Sequence, residues 1–259
     1  MSIFTFVLNN NKIKISIVNY TNTLPFKWAL KHSELISKID LQEDIPSICA
    51  QKLKFNQVQL ALVPVAILNE LDNYFIETDY CIGANGKVDS VKLYSKVPYD
   101  SIGSITLDYQ SRTSIALTKI LCEHYWRIKP LFENAKPGFE SNLQGNNANV
   151  VIGDRTFSLN GKFAYEYDLA ETWKDMTGLP FVFAAWVSTE KMDDKFISEF
   201  NTVLKFGVEN CKKAIEESTN ELNISNEKAF DYLTEKISYN LDDEKRKALN
   251  LFLQYVKDL

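Results

Sequence analysis

The chain has 259 residues, of which 45% are hydrophobic, 12% aromatic and 24% charged. This length and composition predict a folded protein of one large domain or two small ones, and they exclude a disordered, collagenous or disulfide-scaffold chain. The 29 Lys and Arg residues against 34 Asp and Glu residues give a net charge of −5, so we expect no nucleic-acid partner and no broad surface for anionic membranes.

The N-terminal residues 1–8 are mostly apolar, but they have no basic leader and no small-residue cleavage site. No segment of the chain approaches the roughly 18 uninterrupted apolar residues of a membrane span. We therefore expect a cytoplasmic protein without a membrane partner.

The first quarter of the chain alternates strand and helix patterns. We predict strands at residues 12–18, 36–41 and 59–64 and helices at residues 27–32 and 45–54. Pro25 suits the first turn of the first helix, and Asp44 is a possible N-cap of the second. Pro64 ends the third strand and opens a further helix. This order predicts a parallel sheet.

The next stretch departs from that alternation. Residues 80–84 and 88–96 flank Asn85-Gly86, a dipeptide that favours a tight hairpin turn between two strands. The second arm is long enough to carry the chain from one lobe into another.

A second α/β segment follows and then gives way to helices. We predict strands at 104–107, 149–152 and 181–187 and helices at 111–125 and 168–177, with three more helices at 193–215, 225–237 and 242–256. Gly178 suits the C-cap of the helix that Asp168 begins. The strand at 181–187 can return the chain to the first lobe, on which we expect the last helices to pack. Two such crossings imply a bilobed α/β fold.

Cysteine and histidine are too few and too scattered to indicate a metal site or a catalytic thiol. The chain has two histidines and four cysteines without Cys-x-x-Cys spacing, at Cys49, Cys81, Cys122 and Cys211. We expect these cysteines to be buried thiols, and we expect the protein to use no metal and no other cofactor.

Polar residues follow several of the predicted strands, where open α/β sheets bind their ligands. We expect residues 19–23, Ser90, residues 111–114 and Asp154 to meet at the mouth of one cleft. The helix start at Ser111 can bind a carboxylate through backbone N–H groups, hydroxyls and the helix dipole, or it can be an ordinary cap. Arg112 can add a bidentate contact to a carboxylate or point into solvent.

The other candidates also have two interpretations each. The Asn22 amide can donate to and accept from a ligand, or it can form an Asx-turn. Ser90 can face a ligand or be an exposed strand serine, and Asp154 can orient a ligand hydroxyl or cap the next turn. Tyr165, Tyr167 and Trp173 are expected in the core. The pattern alone predicts a bilobed protein that binds a small polar anion, and it does not choose a reaction.

Seven segments, taken together, resemble the chorismate dehydratases of the futalosine route to menaquinone. In chain order they are NYTNTLPF (19–26), ALVPV (61–65), VDSVKLYS (88–95), LDYQSRTS (107–114), IGD (152–154), DL (168–169) and TGLPFVFAAW (177–186). Their order and spacing match the family over roughly residues 12–188, and the helical C-terminal part fits by pattern only.

The resemblance implies a two-lobed, type II periplasmic-binding-protein-like α/β fold whose C-terminal helical segment packs on lobe 1. We assign residues 1–92 to lobe 1, residues 93–184 to lobe 2, and residues 185–259 to the return strand and the C-terminal helices. The implied activity is that of a hydro-lyase that removes water from chorismate to give 3-[(1-carboxyvinyl)oxy]benzoate. The implied partner is this small molecule, with the protein acting as a monomer or homodimer and without a cofactor.

The resemblance also implies roles for individual residues. Asn22 and Ser90 match the polar residues at the reacting centre, and the substrate's own side-chain carboxylate takes the proton. The residues implied in substrate binding are Tyr20, Thr23, Ser111, Arg112, Thr113, Ser114 and Asp154. Two other functions remain open: a solute-binding protein for a small organic anion, and the related dihydroxynaphthoate-forming lyase of the same pathway.

Overall fold

The computed structural model describes residues 12–140 and 142–259, and the apolar N-terminal stretch at residues 1–8 lies outside them. The strands are β1 Ile13–Val18, β2 Ile39–Asp44, β3 Leu60–Pro64, β4 Phe75–Ala84, β5 Val91–Ser95, β6 Ser104–Leu107, β7 Leu131–Asn134, β8 Asn147–Ile152, β9 Tyr165–Asp168, β10 Phe181–Ser188 and β11 Ser238–Asn240. The helices are α1 Leu24–Lys31, α2 Pro46–Lys54, α3 Arg112–Ile120, α4 Leu169–Thr177, α5 Asp194–Glu209, α6 Cys211–Glu217, α7 Asn226–Asp231 and α8 Asp243–Lys257.

These strands form two separate sheets. The first has six strands in the order β11-β4-β10-β3-β1-β2, and the second has five in the order β7-β6-β8-β5-β9. The parallel arrangement predicted for the opening strands is confirmed, because β1 pairs in parallel with both β2 and β3. We call the six-stranded sheet with its helices the first lobe, and the five-stranded sheet with α3 and α4 the second lobe.

The chain crosses between the lobes twice, as predicted. It leaves the first sheet after β4 and returns to it in β10. The predicted hairpin around Asn85-Gly86 is wrong, because β4 pairs with β10 and β11 whereas β5 pairs with β8 and β9. The predicted lobe boundaries after residues 92 and 184 fall inside β5 and β10, and the assignment of residues to lobes stays a prediction.

Several helix ends follow the local sequence signals. Ser111 caps α3 by accepting a hydrogen bond from the Ser114 backbone N–H. The Asp168 side chain caps α4, and Gly178, with φ of 75°, ends it. Ser225 and Asp242 cap α7 and α8 in the same way.

Other local predictions are corrected by tertiary contacts. The strand predicted at 36–41 begins at Ile39, after a short 3-10 turn. Asp44 ends that strand and does not cap α2, because its carboxylate accepts hydrogen bonds from Ser16 and Lys52. The segment after Pro64 is a 3-10 helix, Val65–Glu70, and not an α-helix.

The C-terminal half is more broken than its apolar pattern predicts. The helix predicted at 193–215 is divided into α5 and α6, and the one predicted at 225–237 becomes α7 followed by a π-helical turn, Tyr232–Lys236. The predictions also miss β7, β9 and β11, which have only three or four residues each and so show no clear alternation.

The core lies mainly between the first sheet and the helices that cover it. As predicted, the C-terminal helices pack on this lobe: α5 and α6 contact α1, and α8 contacts β10.

All four cysteines are buried free thiols, as predicted, and burial raises the pKa of Cys49, Cys81 and Cys122 to about 12. Of the aromatic residues predicted to be buried, Trp173 is inaccessible, whereas Tyr165 is 37% exposed. Within residues 12–140 and 142–259, no helix has the length and apolar character needed to cross a bilayer.

Candidate active site

A small cavity of about 50 Å³ lies between the two lobes. Its walls come from β1, β3, β4 and β10 of the first lobe and from β5, β8 and α3 of the second. The polar residues that line it are Tyr20, Asn22, Ser90, Ser111 and Ser114. Among the described residues no charged side chain lines the cavity, so a bound anion would be held by uncharged donors.

The structure therefore brings together five of the nine residues that the sequence analysis assigned to the site. The other four, Thr23, Arg112, Thr113 and Asp154, do not line the cavity. Each of these four has a defined contact elsewhere in the fold, described below.

Asn22 is held in place by the short 3-10 turn, Thr21–Thr23, that connects β1 to α1. Thr23 stabilises this turn, since its hydroxyl donates to the backbone oxygens of Val18 at 2.6 Å and Tyr20 at 2.9 Å. A further hydrogen bond reaches Asn22 itself, because the Tyr239 hydroxyl donates to its backbone oxygen at 3.0 Å. Thr23 thus stabilises the turn that holds Asn22 without lining the cavity itself.

The side-chain oxygen Oδ1 of Asn22 is buried and has no hydrogen-bond partner among the described residues. An Asx-turn would have supplied one, so that interpretation is wrong for this residue. Leaving a buried acceptor unsatisfied costs about 1–3 kcal/mol. Because Asn22 lines the cavity, a donor on a bound ligand can remove this cost.

Ser90 is only 2% exposed, so it is not an exposed strand serine. The residue before it, Asp89, has φ of 63°, in the left-handed region. Asp168 stabilises this bend, because its carboxylate accepts hydrogen bonds from the backbone N–H groups of Val88 at 3.0 Å and Asp89 at 2.7 Å. The same carboxylate caps α4, so one side chain ties the helix to the turn that presents Ser90.

The Ser90 hydroxyl has a partner that the sequence analysis missed. The Tyr232 hydroxyl, 142 residues away in the chain, donates to Ser90 Oγ at 2.7 Å. Ile237, from the same C-terminal segment, lines the cavity. The helical pattern of this segment gave no sign of either contact, because both depend on how the segment packs against the first lobe.

The N-terminus of α3 points its capping serines at the cavity. Ser111 Oγ accepts hydrogen bonds from the Ser114 backbone N–H at 3.3 Å and from the Ser114 hydroxyl at 3.4 Å. Thr113 points elsewhere, and its hydroxyl accepts a hydrogen bond from the backbone N–H of Ala66 at 3.1 Å, which joins α3 to the first lobe. Capping and ligand binding are compatible here, since the start of a helix has several free N–H groups and a partial positive charge.

Arg112 faces away from the cavity. Its guanidinium binds the carboxylate of Glu70, and about half of its side chain is exposed. Burial acts to raise the pKa of Glu70, but the contacts with Arg112 and Lys54 outweigh it and hold that pKa below its usual value. The carboxylate that Arg112 grips therefore belongs to the protein itself.

Asp154 joins the two lobes and neither caps a turn nor reaches the cavity. Its carboxylate accepts hydrogen bonds from the backbone N–H of Thr21 at 3.0 and 3.1 Å and from the Thr21 hydroxyl at 3.0 Å. Burial raises the pKa of Asp154, and these hydrogen bonds oppose the rise. The contact closes the cleft beside Asn22.

Tyr20 forms a second contact across the cleft. Its ring lies against Gly153, where a Cβ atom would come within 2.8 Å of the ring. Its hydroxyl donates to the side-chain oxygen of Gln110 in the second lobe. Tyr20 is thus both a wall of the cavity and part of the closed interface.

A family model described as menaquinone biosynthesis matches residues 13–258. A protein named chorismate dehydratase from Thermus thermophilus is 26% identical over 190 residues, which cover 66% of this chain and 68% of that protein. One of the same name from Campylobacter jejuni is 25% identical over 253 residues, which cover 93% of this chain and 96% of that protein.

Solved structures show the fold. Protein AF1704 from Archaeoglobus fulgidus has a TM-score of 0.73 at 17% identity, covering 97% of this chain and 98% of that one. The periplasmic aliphatic sulphonate binding protein SsuA from Escherichia coli has a TM-score of 0.62 at 12% identity, covering 95% and 91%. The Candida albicans CA3427 gene product, described as having the generic periplasmic binding protein fold, has a TM-score of 0.62 at 12% identity, covering 96% and 91%. The predicted periplasmic-binding-protein-like α/β fold is therefore confirmed.

Proposed function

The chain belongs to the menaquinone-biosynthesis family, whose model spans residues 13–258, and from this we propose that it is the chorismate dehydratase of the futalosine pathway. The reaction removes water from chorismate and gives 3-[(1-carboxyvinyl)oxy]benzoate. The two relatives named chorismate dehydratase support this assignment. The observation that carries it is the meeting of the unpartnered Asn22 amide oxygen and the Ser90 hydroxyl at one cavity.

The proposed reaction needs few acid or base groups from the protein. A proton leaves C3 of chorismate, and the electrons of that C–H bond form the new C3–C4 double bond. The C4–O bond breaks at the same time, and the departing hydroxide takes up the proton removed from C3 and leaves as water. The ring becomes aromatic, which supplies the driving force. The substrate's own side-chain carboxylate accepts the C3 proton, so the protein mainly orients groups and stabilises developing charge.

Each polar residue of the cavity has a place in this scheme. Asn22 Oδ1 accepts a hydrogen bond from the C4 hydroxyl and thereby gains the partner that it lacks. Ser90 donates to the oxygen of the same hydroxyl and stabilises the negative charge that grows as the C–O bond breaks. Ser111 and Ser114, at the start of α3, bind a substrate carboxylate with help from the helix dipole.

The direct test is to incubate the purified protein with chorismate, without added metal or nucleotide, and to follow the loss of one water by mass spectrometry. We expect Asn22→Ala and Ser90→Ala each to lower kcat by about 100-fold to 1,000-fold, the usual cost of removing a donor or acceptor at a reacting centre. Thermal unfolding should change little. If both variants keep full activity, the assignment of the site is wrong.

Ser95→Ala is a matched control for Ser90→Ala. Ser95 is also buried, at the end of β5, and its hydroxyl oxygen accepts a hydrogen bond from the Val97 backbone N–H at 3.1 Å. It does not line the cavity. We expect Ser95→Ala to keep wild-type kcat, so a loss of activity in this control would indicate that any serine deletion in this strand disturbs the enzyme.

A second candidate function is the capture of a small organic anion as a solute-binding protein. The similarity of the fold to the periplasmic sulphonate binding protein favours it. Binding of chorismate without conversion would support this alternative over the dehydratase. The dihydroxynaphthoate-forming lyase of the same pathway is a third candidate, and conversion of chorismate would exclude it. The cytoplasmic location and the monomeric or dimeric state stay predictions.

A further inference from the structure

Tyr232, from the C-terminal segment, contacts Ser90. Its hydroxyl donates to Ser90 Oγ at 2.7 Å, and its side chain does not line the cavity. We propose that Tyr232 is a positioning residue that orients and polarises the Ser90 hydroxyl for the dehydration. This inference rests on the proposed function, because it gives Tyr232 a role in that reaction through Ser90.

Of the two hydroxyls, the phenol of Tyr232 is the stronger acid and therefore the better donor, so we take Ser90 as the acceptor of this hydrogen bond. This direction decides where the Ser90 proton points. A serine hydroxyl has one hydrogen to donate and two lone pairs to accept. Because Tyr232 supplies the hydrogen between the two oxygens, the hydrogen of Ser90 is free to point elsewhere. Among the described residues it has no acceptor, and Ser90 lines the cavity. A hydroxyl that accepts a hydrogen bond is also a stronger donor, since hydrogen bonds in a chain polarise one another.

The environment of Tyr232 keeps its phenol in the donating form. The residue is only 4% exposed, and burial raises the pKa of its hydroxyl far above the usual value of 10. The hydrogen bond with Ser90 opposes the rise without reversing it. The phenol therefore keeps its proton at any pH at which the enzyme works.

Both lobes hold the ring of Tyr232 in position. Tyr232 begins the π-helical turn, Tyr232–Lys236, of the C-terminal segment, and such turns are frequent at functional sites. The ring of Phe157, from the second lobe, packs edge-on against it with centroids 5.0 Å apart. Phe157 can hold the Tyr232 ring in this position only when the two lobes are together, so we expect the Ser90 hydroxyl to be fully oriented only in the closed state.

Tyr94 provides a matched control. It is also fully buried, and its hydroxyl donates to the Asn160 side-chain oxygen at 2.7 Å, the same length as the bond from Tyr232 to Ser90. It lies in the second lobe and does not line the cavity. Tyr94→Phe and Tyr232→Phe thus remove equivalent hydrogen bonds from buried phenols, and only the second touches a residue of the reacting centre.

We expect Tyr232→Phe to lower kcat about tenfold, equivalent to 1.36 kcal/mol, while KM stays within about twofold. The shift in its thermal unfolding midpoint should be similar to that of Tyr94→Phe, which should keep wild-type kcat. A structural role alone would lower stability without separating kcat from KM in this way. Wild-type kcat in Tyr232→Phe, or an equal loss of kcat in Tyr94→Phe, would overturn the proposal.

A double-mutant cycle tests whether Tyr232 acts through Ser90. Rates are measured in single-turnover reactions with chorismate for Ser90→Ala, Tyr232→Phe and the double variant. We expect the double variant to react at the rate of Ser90→Ala, since the tyrosine then has no hydroxyl to polarise. If Tyr232→Phe costs as much in the Ser90→Ala background as in the wild type, Tyr232 acts by another route. A wild-type protein that leaves chorismate unchanged would overturn both this proposal and the proposed function.

Discussion

The bridge between Asp154 and Thr21 gives the sharpest test of how the closed cleft contributes to activity. Replacing Asp154 by alanine removes the acceptor for two donors of Thr21, the backbone N–H and the hydroxyl. The substitution Asp154→Asn keeps the shape of the side chain but removes its charge, so it is the milder version of the same change. Neither variant alters a residue that lines the cavity.

The expected magnitude follows from the number of bonds that are lost. A hydrogen bond to a charged group contributes about 1.5–3 kcal/mol, so two donors stabilise the closed form by at least about 3 kcal/mol. Each 1.4 kcal/mol is a factor of ten, and Asp154→Ala should therefore reduce the equilibrium constant for closure about 100-fold. We expect kcat/KM to fall by as much as that for Asp154→Ala and about tenfold for Asp154→Asn.

The assay is steady-state dehydration of chorismate, combined with small-angle scattering of the substrate-bound protein to measure its radius of gyration. Asp193→Ala is the control, because Asp193 also accepts a backbone N–H, that of Phe196 at 2.9 Å, but does so at the start of α5. It should lower the unfolding midpoint without changing kcat/KM. A change of less than twofold in kcat/KM for Asp154→Ala would refute the reasoning.

Two further predictions concern the turns around the site. The ion pairs with Lys92 and Lys87 outweigh burial and lower the pKa of Asp89 below 3.8, so their stabilisation is present above that pH and is lost as the pH falls through the lowered pKa. Asp89→Asn should destabilise the protein to urea by about 1–3 kcal/mol at pH 7 and by progressively less as the pH falls below 3.8, and a loss that does not change with pH would contradict this. Gly153→Ala should cost about 1–2 kcal/mol of stability because φ is +64°, and it should also lower kcat/KM at least tenfold by displacing the Tyr20 ring. Gly161→Ala, with φ of +80° and open space around it, should show only the loss of stability.

Local signals in the sequence predicted most of the regular structure near the site. The cap of α4 at Asp168, its end at Gly178 and the start of α3 at Ser111 all depend on groups within a few residues of one another. Such interactions can be recognised from the order of residues alone. The turn that follows β1 and contains Asn22 is predicted at the cleft for a different reason, because it comes directly after the carboxyl end of a strand.

Long-range contacts explain where the predictions were wrong. The favourable turn dipeptide Asn85-Gly86 did not make a hairpin, because β4 and β5 find better partners in different sheets. The sequence around Arg112 gives no partner for its guanidinium and so allows it to bind a ligand carboxylate. In the structure the guanidinium binds Glu70 instead. These partners, the strands that pair with β4 and β5 and the carboxylate of Glu70, are distant in the chain. Local sequence patterns therefore do not predict the contacts.

The sequence by itself determined the α/β order, the two crossings between lobes, and a set of candidate site residues that included the charged Arg112 and Asp154. Only the tertiary structure decided that Asn22 has an unpartnered oxygen, that Asp154 bridges the lobes, and that Tyr232 contacts Ser90. The physical reason is that periodicity and capping act over one or two turns of chain. The hydrogen bonds of Asp154 with Thr21 and of Tyr232 with Ser90 join residues more than 100 positions apart and exist only after the chain has folded.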